Sequence, residues 1–239
     1  MNDLARELFY KRLGRLPSDF SIKRRRQDVV YDKKWFLFLK RVAVFRYMPF
    51  IRLVFGAGSM ALKNVHKNSD FDVLICAKHG RIFTVRFLSI ILTALLRIRR
   101  NKYRSSNCLC LNHFITLKSY KLSPPYDVSW MELYKNLVPI YGQKEAILNF
   151  LTQNNWAGEI TYKNDLRHIY EGGNKFSIYL EKVLGGRVGD LLERVFKYLL
   201  LLKFYRFNNL PKSRRDRIII SDEEMELHLE ARPRDEVIN

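Results

Sequence analysis

Apolar positions Phe36, Leu39, Val42, Ala43 and Phe45 recur at near-helical spacing between Lys34 and Tyr47, and Pro49 closes the run, so this segment predicts a helix. Upstream, residues 1–33 are rich in Lys and Arg, with KRRR at Lys23 to Arg26, and Gly14 and Pro17 interrupt any long periodic pattern. The expectation there is a basic N-terminal arm or a loosely docked helical hairpin. Ile51 to Phe55 is a short continuous apolar run of the kind a buried strand uses, and Gly56, Gly58 and Ser59 break it before a helical stretch beginning at Met60. A polar turn, Asn64 to Ser69, then leads into Asp70 to Ala77, the clearest strand in the chain, which His79 and Gly80 end.

Ile82 to Leu96 is apolar enough to predict a helix, and the basic stretch Arg97 to Arg104 separates it from a second strand, Cys108 to Leu117. From Val128 to Phe207 the pattern reads as helix throughout, interrupted at Gly185, Gly186 and Gly189. These glycines come after no strand, so they predict helix breaks or close helix packing rather than a phosphate-binding loop. Tyr170, Phe176, Tyr179, Phe196, Tyr198 and Tyr205 read mostly as core stripes of those helices. Beyond them Lys212 to Arg217 is basic, the apolar residues after it predict a short strand, and the acidic end reads as a solvated tail.

Charge changes the picture more than composition does. Lys and Arg total 43 against 24 Asp and Glu, a formal net charge of +19 that exceeds what solubility requires, so a polyanionic partner is expected, nucleic acid first. With 47% hydrophobic residues the chain can build a core, which excludes wholesale disorder. Cys76, Cys108 and Cys110 are too few for a disulfide framework or a zinc ribbon and read as ordinary strand residues suited to a reducing cytoplasm. The five histidines are scattered without the spacing of a helical metal site. The start, MNDLARELFYKR, shows no signal-peptide pattern, and the longest apolar runs fall short of the ~20 residues a membrane span requires, so no span is expected.

Chemistry concentrates between Val54 and Ile75. In a strand, residues i and i+2 share a side and lie about 6.5 to 7 Å apart, so Asp70 and Asp72 can both reach a divalent ion or an ion pair. Oxygen donors suit Mg2+ or Mn2+ rather than zinc, and paired ions of this kind serve phosphoryl transfer. Gly58 and Ser59 supply the complementary half, a turn whose exposed N–H groups can take phosphate oxygens, with Ser59 expected as the helix N-cap. Lys63 and Ser69 are the further candidates for nucleotide contact.

Together, Gly58-Ser59 and the run Asn68-Ser69-Asp70-Phe71-Asp72 resemble the signature of the DNA polymerase β nucleotidyltransferase superfamily, closest to its minimal bacterial and archaeal members. ALKNVHKNSDFDVLI, after Gly58-Ser59-Met60, follows their GSxAxG…NSDxDxLI pattern with Lys63 at its last glycine, and NFLTQNNW at Asn149 to Trp156 looks like the segment after the core in uncharacterised relatives. The resemblance implies an α+β fold in which a small mixed β-sheet is flanked by helices, with a catalytic core over residues 34–120 and a helical accessory domain over 121–210, between the basic arm and a charged tail from 211. It also implies an NTP substrate, ATP being one candidate, bound by the Gly-Ser turn, with Asp70 and Asp72 as catalytic metal ligands.

One departure stands out. Active members place a third carboxylate on a later strand, and Cys108 to Leu117 holds neither Asp nor Glu. Asn112 or His113 is the nearest polar substitute there, with Asn112 the candidate third ligand, since an amide oxygen can coordinate magnesium but takes no proton at neutral pH. Either Asp127 or Glu132 folds into the site, two carboxylates suffice, or turnover is impaired. The expected activity is transfer of a nucleoside monophosphate to an acceptor hydroxyl at an RNA or tRNA 3′ end. The alternatives are modification of a protein or small molecule, as in toxin-like relatives, and a nucleic-acid-binding module without turnover. Oligomeric state is not legible.

Overall fold

The computed structural model of the chain describes residues 18–62, 65–118, 121–122, 128–158, 174–207 and 217–228. A long helix, α1 (Ser18–Val42), continues as a 3-10 turn (Ala43–Tyr47) and enters β1 (Ile51–Gly56). A one-turn helix, α2 (Gly58–Ala61), precedes β2 (Phe71–Ala77), and α3 (Ile82–Leu95) crosses to β3 (Leu109–Thr116). Next come α4 (Val128–Lys135), β4 (Val138–Tyr141), α5 (Lys144–Gln153), a 3-10 turn (Asn155–Ala157), α6 (Lys175–Val183) and α7 (Gly186–Phe207). The hairpin of β5 (Arg217–Ile220) and β6 (Glu224–His228) ends the described chain.

The fold is α+β, as the resemblance implied: one mixed sheet of six strands flanked by seven helices among the described residues. Strand order is β4-β1-β2-β3-β6-β5, and β2 with β3 is its parallel pair. A parallel pair needs a crossover, and the apolar α3 provides it. Alternation along the strands divides the core in two. Val54, Val73 and Ile75 face α1, α3 and α7, while Leu53, Phe55, Leu74 and Cys76 face α5 and the Tyr134 region. A three-layer sandwich results. Among the described residues no helix is long and apolar enough to cross a membrane.

Three expectations change. The stretch from Val128 is not helical throughout, because β4 interrupts it at Val138–Tyr141. Four apolar residues cannot be assigned to strand or helix by periodicity, and Pro139 is tolerated because β4 is a sheet edge. The region beyond residue 210 contributes two strands rather than one, and Glu224 and Glu226 are buried there. Finally, Phe176, Tyr179, Tyr198 and Tyr205 are exposed, not core; only Phe196 points inward, stacked on Phe87 with ring centroids 3.9 Å apart. Tyr170 lies outside the described residues. Helical period reveals an apolar face but not what covers it.

Candidate active site

The site forms where β1 ends beside the start of β2. The chain leaves β1 through Ala57, whose N–H donates to the Asp72 carbonyl at 3.0 Å, and turns at Gly58 with φ +61°. A Cβ at Gly58 would overlap the Asp72 carboxylate, so glycine is required twice, by the left-handed backbone and by the close approach. Ala57, not Ser59, occupies the N-cap of α2, and Ser59 lies within its single turn. The reason is that β1 continues to Gly56 and the helical turn opens two residues early, at Gly58 itself.

Asp70 immediately precedes β2 and Asp72 is its second residue. Parallel pairing with β3 sets Cys110 directly beside Asp72, and the donor atoms of Asp70, Asp72 and Cys110 all lie within 4.8 Å of one another. The two carboxylates suit a divalent cation by donor chemistry, and Gly58 leaves Asp72 room against the turn, whereas the Cys110 thiol, which burial and then the Asp72 and Asp70 charges hold well above its ordinary pKa, is a soft neutral donor that suits Mg2+ poorly. The set contains one sulfur, which the oxygen-only reading did not include. Asn112 belongs to the stretch of β3 where the register with β2 shifts, between the Asp72 and Leu74 pairings. Glu132 is exposed on α4, and its side chain accepts from Asn136; Lys63 and Asp127 lie outside the described residues.

Basic groups surround the carboxylates. The stretch after α3 bridges in parallel to the start of β3 at Arg99 and Leu109, which places the Arg100 guanidinium 2.8 Å from Asp70 Oδ2 and 3.6 Å from Cys110 Sγ. Burial is the leading influence on Arg100 and lowers its pKa, but Cys110, Asp70 and Asp72 together hold it above its ordinary value. From the other side Lys34 of α1, itself buried, donates to the Ser69 carbonyl at 2.7 Å. Burial lowers the Lys34 pKa, against the opposing pull of Asp70. The Ser69 hydroxyl accepts from the His66 N–H at 2.9 Å, so it folds the loop that delivers Asp70.

The loop that carries Arg100 also lines a concavity of about 290 Å³ with Arg97, Arg99, Asn101, Tyr103 and Arg104. Tyr103 is 92% exposed. On α3, burial and then the Arg99 charge push Arg86 down to about 10, and burial together with Arg86 and Arg99 lowers Lys203. The buried Arg86 Nε makes no hydrogen bond. The Arg99 charge thus disfavours the charged forms of Arg86 and Lys203, a situation an anion relieves. Of the three basic tracts in the sequence, the side chains of this central one are the ones the structure describes.

Sequence reading misses Arg100, Cys110 and Lys34 as parts of the site. Arg100 belongs to a tract whose only local signal is its charge. Cys110 looks like a strand filler because nothing in the local pattern reveals which residue a parallel crossover will set beside Asp72. Further along β3, His113 is buried with Glu224 at 3.1 Å and Tyr134 at 3.4 Å, a network that ties β6 and α4 to the sheet.

No protein-family model and no curated protein matches the chain. Among solved structures, a crystal structure of a toxin–antitoxin with AMP-PNP aligns at 17% identity over 50% of this chain and 82% of that one, with a TM-score of 0.31. A likeness that distant carries no argument about activity.

Proposed function

We propose that the chain is a metal-dependent nucleotidyltransferase that moves a nucleoside monophosphate from an NTP to a hydroxyl of RNA, a tRNA 3′ end included. The observation that carries the reading is the packing of the Gly58 turn against the Asp72 carboxylate, with Asp70 and Cys110 donors inside the same 4.8 Å cluster. The Arg100 guanidinium meets Asp70 in this cluster, and a Mg2+ or Mn2+ ion taken up by Asp70 and Asp72 in its place would neutralise the triphosphate and activate the attacking hydroxyl.

The chain's own residues then have separate tasks. Asp70 and Asp72 hold the cation. Gly58 leaves room for the Asp72 carboxylate against the turn, and Ser59 adds a hydroxyl beside it. Arg100 is placed to release Asp70 and turn to a phosphate oxygen, a bidentate role suited to a guanidinium. Lys34, through Ser69, fixes the loop that sets Asp70. The concavity of Arg97, Arg99, Arg104 and Tyr103 fits an acceptor strand, offering charge for its phosphates and an exposed ring for a base.

The rival reading is a nucleic-acid-binding module with little turnover. Cys110 favours it, because a thiol stands where a carboxylate would complete the cluster. Incubation with each labelled NTP, Mg2+ or Mn2+, and total RNA decides between them. Label in RNA that is lost in the D70A/D72A double variant supports the transferase; RNA binding without label leaves the binding module; label in protein or a small molecule replaces the acceptor.

A further inference from the structure

Six apolar residues on α7, Val188, Leu191, Val195, Tyr198, Leu202 and Tyr205, are each between 42 and 77% exposed and are spaced 3, 4, 3, 4 and 3 residues apart. That is an unbroken heptad seam about 26 Å long at 1.5 Å per residue. The opposite side of α7 already packs on the body: Gly189 and Leu200 are buried, Phe196 stacks on Phe87, and Phe204 joins the core. On α6 the same 3, 4 spacing continues through Phe176, Tyr179 and Val183, all exposed.

Among the described residues, charge around the seam is one-sided. Every acid on these two helices is turned toward the body: Glu181 to Arg52 at 2.7 Å, Asp190 to Arg81 at 2.7 Å, and Glu193 to the N–H groups of Phe83 and Thr84 at 2.9 and 2.8 Å. Exposed Lys175, Lys182, Arg187 and Arg194 remain beside the apolar stripe. Arg187 and Arg194 are seven residues apart and fall at one flank of the heptad, where a coiled-coil partner sets its own charges.

We propose that this seam docks an amphipathic helix of another polypeptide, with apolar residues at heptad spacing and Asp or Glu at the flanking positions. A second copy of this chain is the wrong complement. Two bodies of +19 repel, and pairing α7 with itself sets no acid against Arg187 or Arg194. An anionic membrane would accept the basic flanks but has no requirement for a 3.5-residue repeat; the stripe keeps that repeat over 18 residues, with Leu199 and Leu201 widening it near its end, and knobs-into-holes packing against a helix is what such a repeat serves. The proposal does not depend on the nucleotidyltransferase reading.

The test uses the full chain and a fluorescent three-heptad peptide with Leu at the seam positions and Glu at the flanks, against a peptide identical but for Lys at the flanks. The Glu peptide is expected to bind at least tenfold tighter than the Lys peptide. The L191S/Y198S variant, altered at exposed positions only, is expected to lose at least tenfold in peptide affinity with an unchanged melting temperature. Equal affinity for both peptides, no binding of either, or a stable homodimer in light scattering that L191S/Y198S dissociates would each overturn it. So would sedimentation with phosphatidylserine vesicles that the same variant abolishes.

Discussion

Asp72 on β2 and Cys110 on β3 are direct neighbours in the parallel register, with a thiol standing where the cluster lacks a third carboxylate. Replacing Cys110 by Asp supplies it. In the C110D variant Mn2+ or Mg2+ is expected to raise the melting temperature by more than in the wild type, because three close carboxylates repel until a cation joins them. Nucleotide transfer is expected to rise at least tenfold, about 1.4 kcal/mol of barrier. Calorimetry with and without metal, alongside labelled-NTP incorporation, measures both; no gain in either would place the third ligand elsewhere.

Gly58 is the position where shape, rather than charge, is decisive. The G58A variant adds about 1–2 kcal/mol of left-handed backbone cost and pushes a methyl into the Asp72 carboxylate. A modest fall in stability by urea denaturation is expected, together with a loss of metal affinity larger than that fall explains. Metal titration unchanged from the wild type would show that the turn does not set Asp72.

Much of this site is legible from residues alone, and the exceptions have a common cause. DFDVLICA reads as a strand because Phe71, Val73 and Ile75 alternate onto one face, and that same alternation brings Asp70 and Asp72 into one cluster. Arg100 and Cys110 reach the cluster only through the pairing of β3 with β2 across α3, a long-range relationship that no local pattern encodes. Tyr198 and Tyr205 also depend on distant packing. Their spacing marks an apolar face correctly, but a helix with two such faces buries only one of them in this chain.

The arginines lining the Tyr103 concavity make a salt-dependent prediction. In R99Q/R104Q two cations are removed, and RNA affinity is expected to fall about tenfold at low salt, with the slope of log K against log salt flattened by about 1.5. Metal binding at Asp70 and Asp72 is expected to be unchanged. Filter binding across a salt series checks the first, metal titration the second, and an unaltered slope would remove this loop from the nucleic-acid interface.

Glu181 ties α6 to the sheet. Its carboxylate accepts from both Arg52 nitrogens at 2.7 and 2.8 Å and from the N–H of Phe50, a buried residue held at φ +65°. Burial alone would raise the Glu181 pKa, but the Arg52 and Phe50 hydrogen bonds and the Arg52 charge outweigh it and set it below its ordinary 4.5. A depressed carboxylate adds stability that is complete above the unfolded value and fades as pH falls through the folded one. E181Q is therefore expected to cost about 1.5–3 kcal/mol at neutral pH and much less in acid, below both values. Denaturation series at several pH values reveal the convergence; parallel curves would contradict it.

Pro139 has a consequence at the far rim of the sheet. With only four residues and one of them lacking an amide hydrogen, β4 offers an incoming chain too short a row of donors to template a new ladder. Copies of the chain that meet at this rim therefore find little to extend into a shared ladder, which protects the protein from strand-by-strand aggregation.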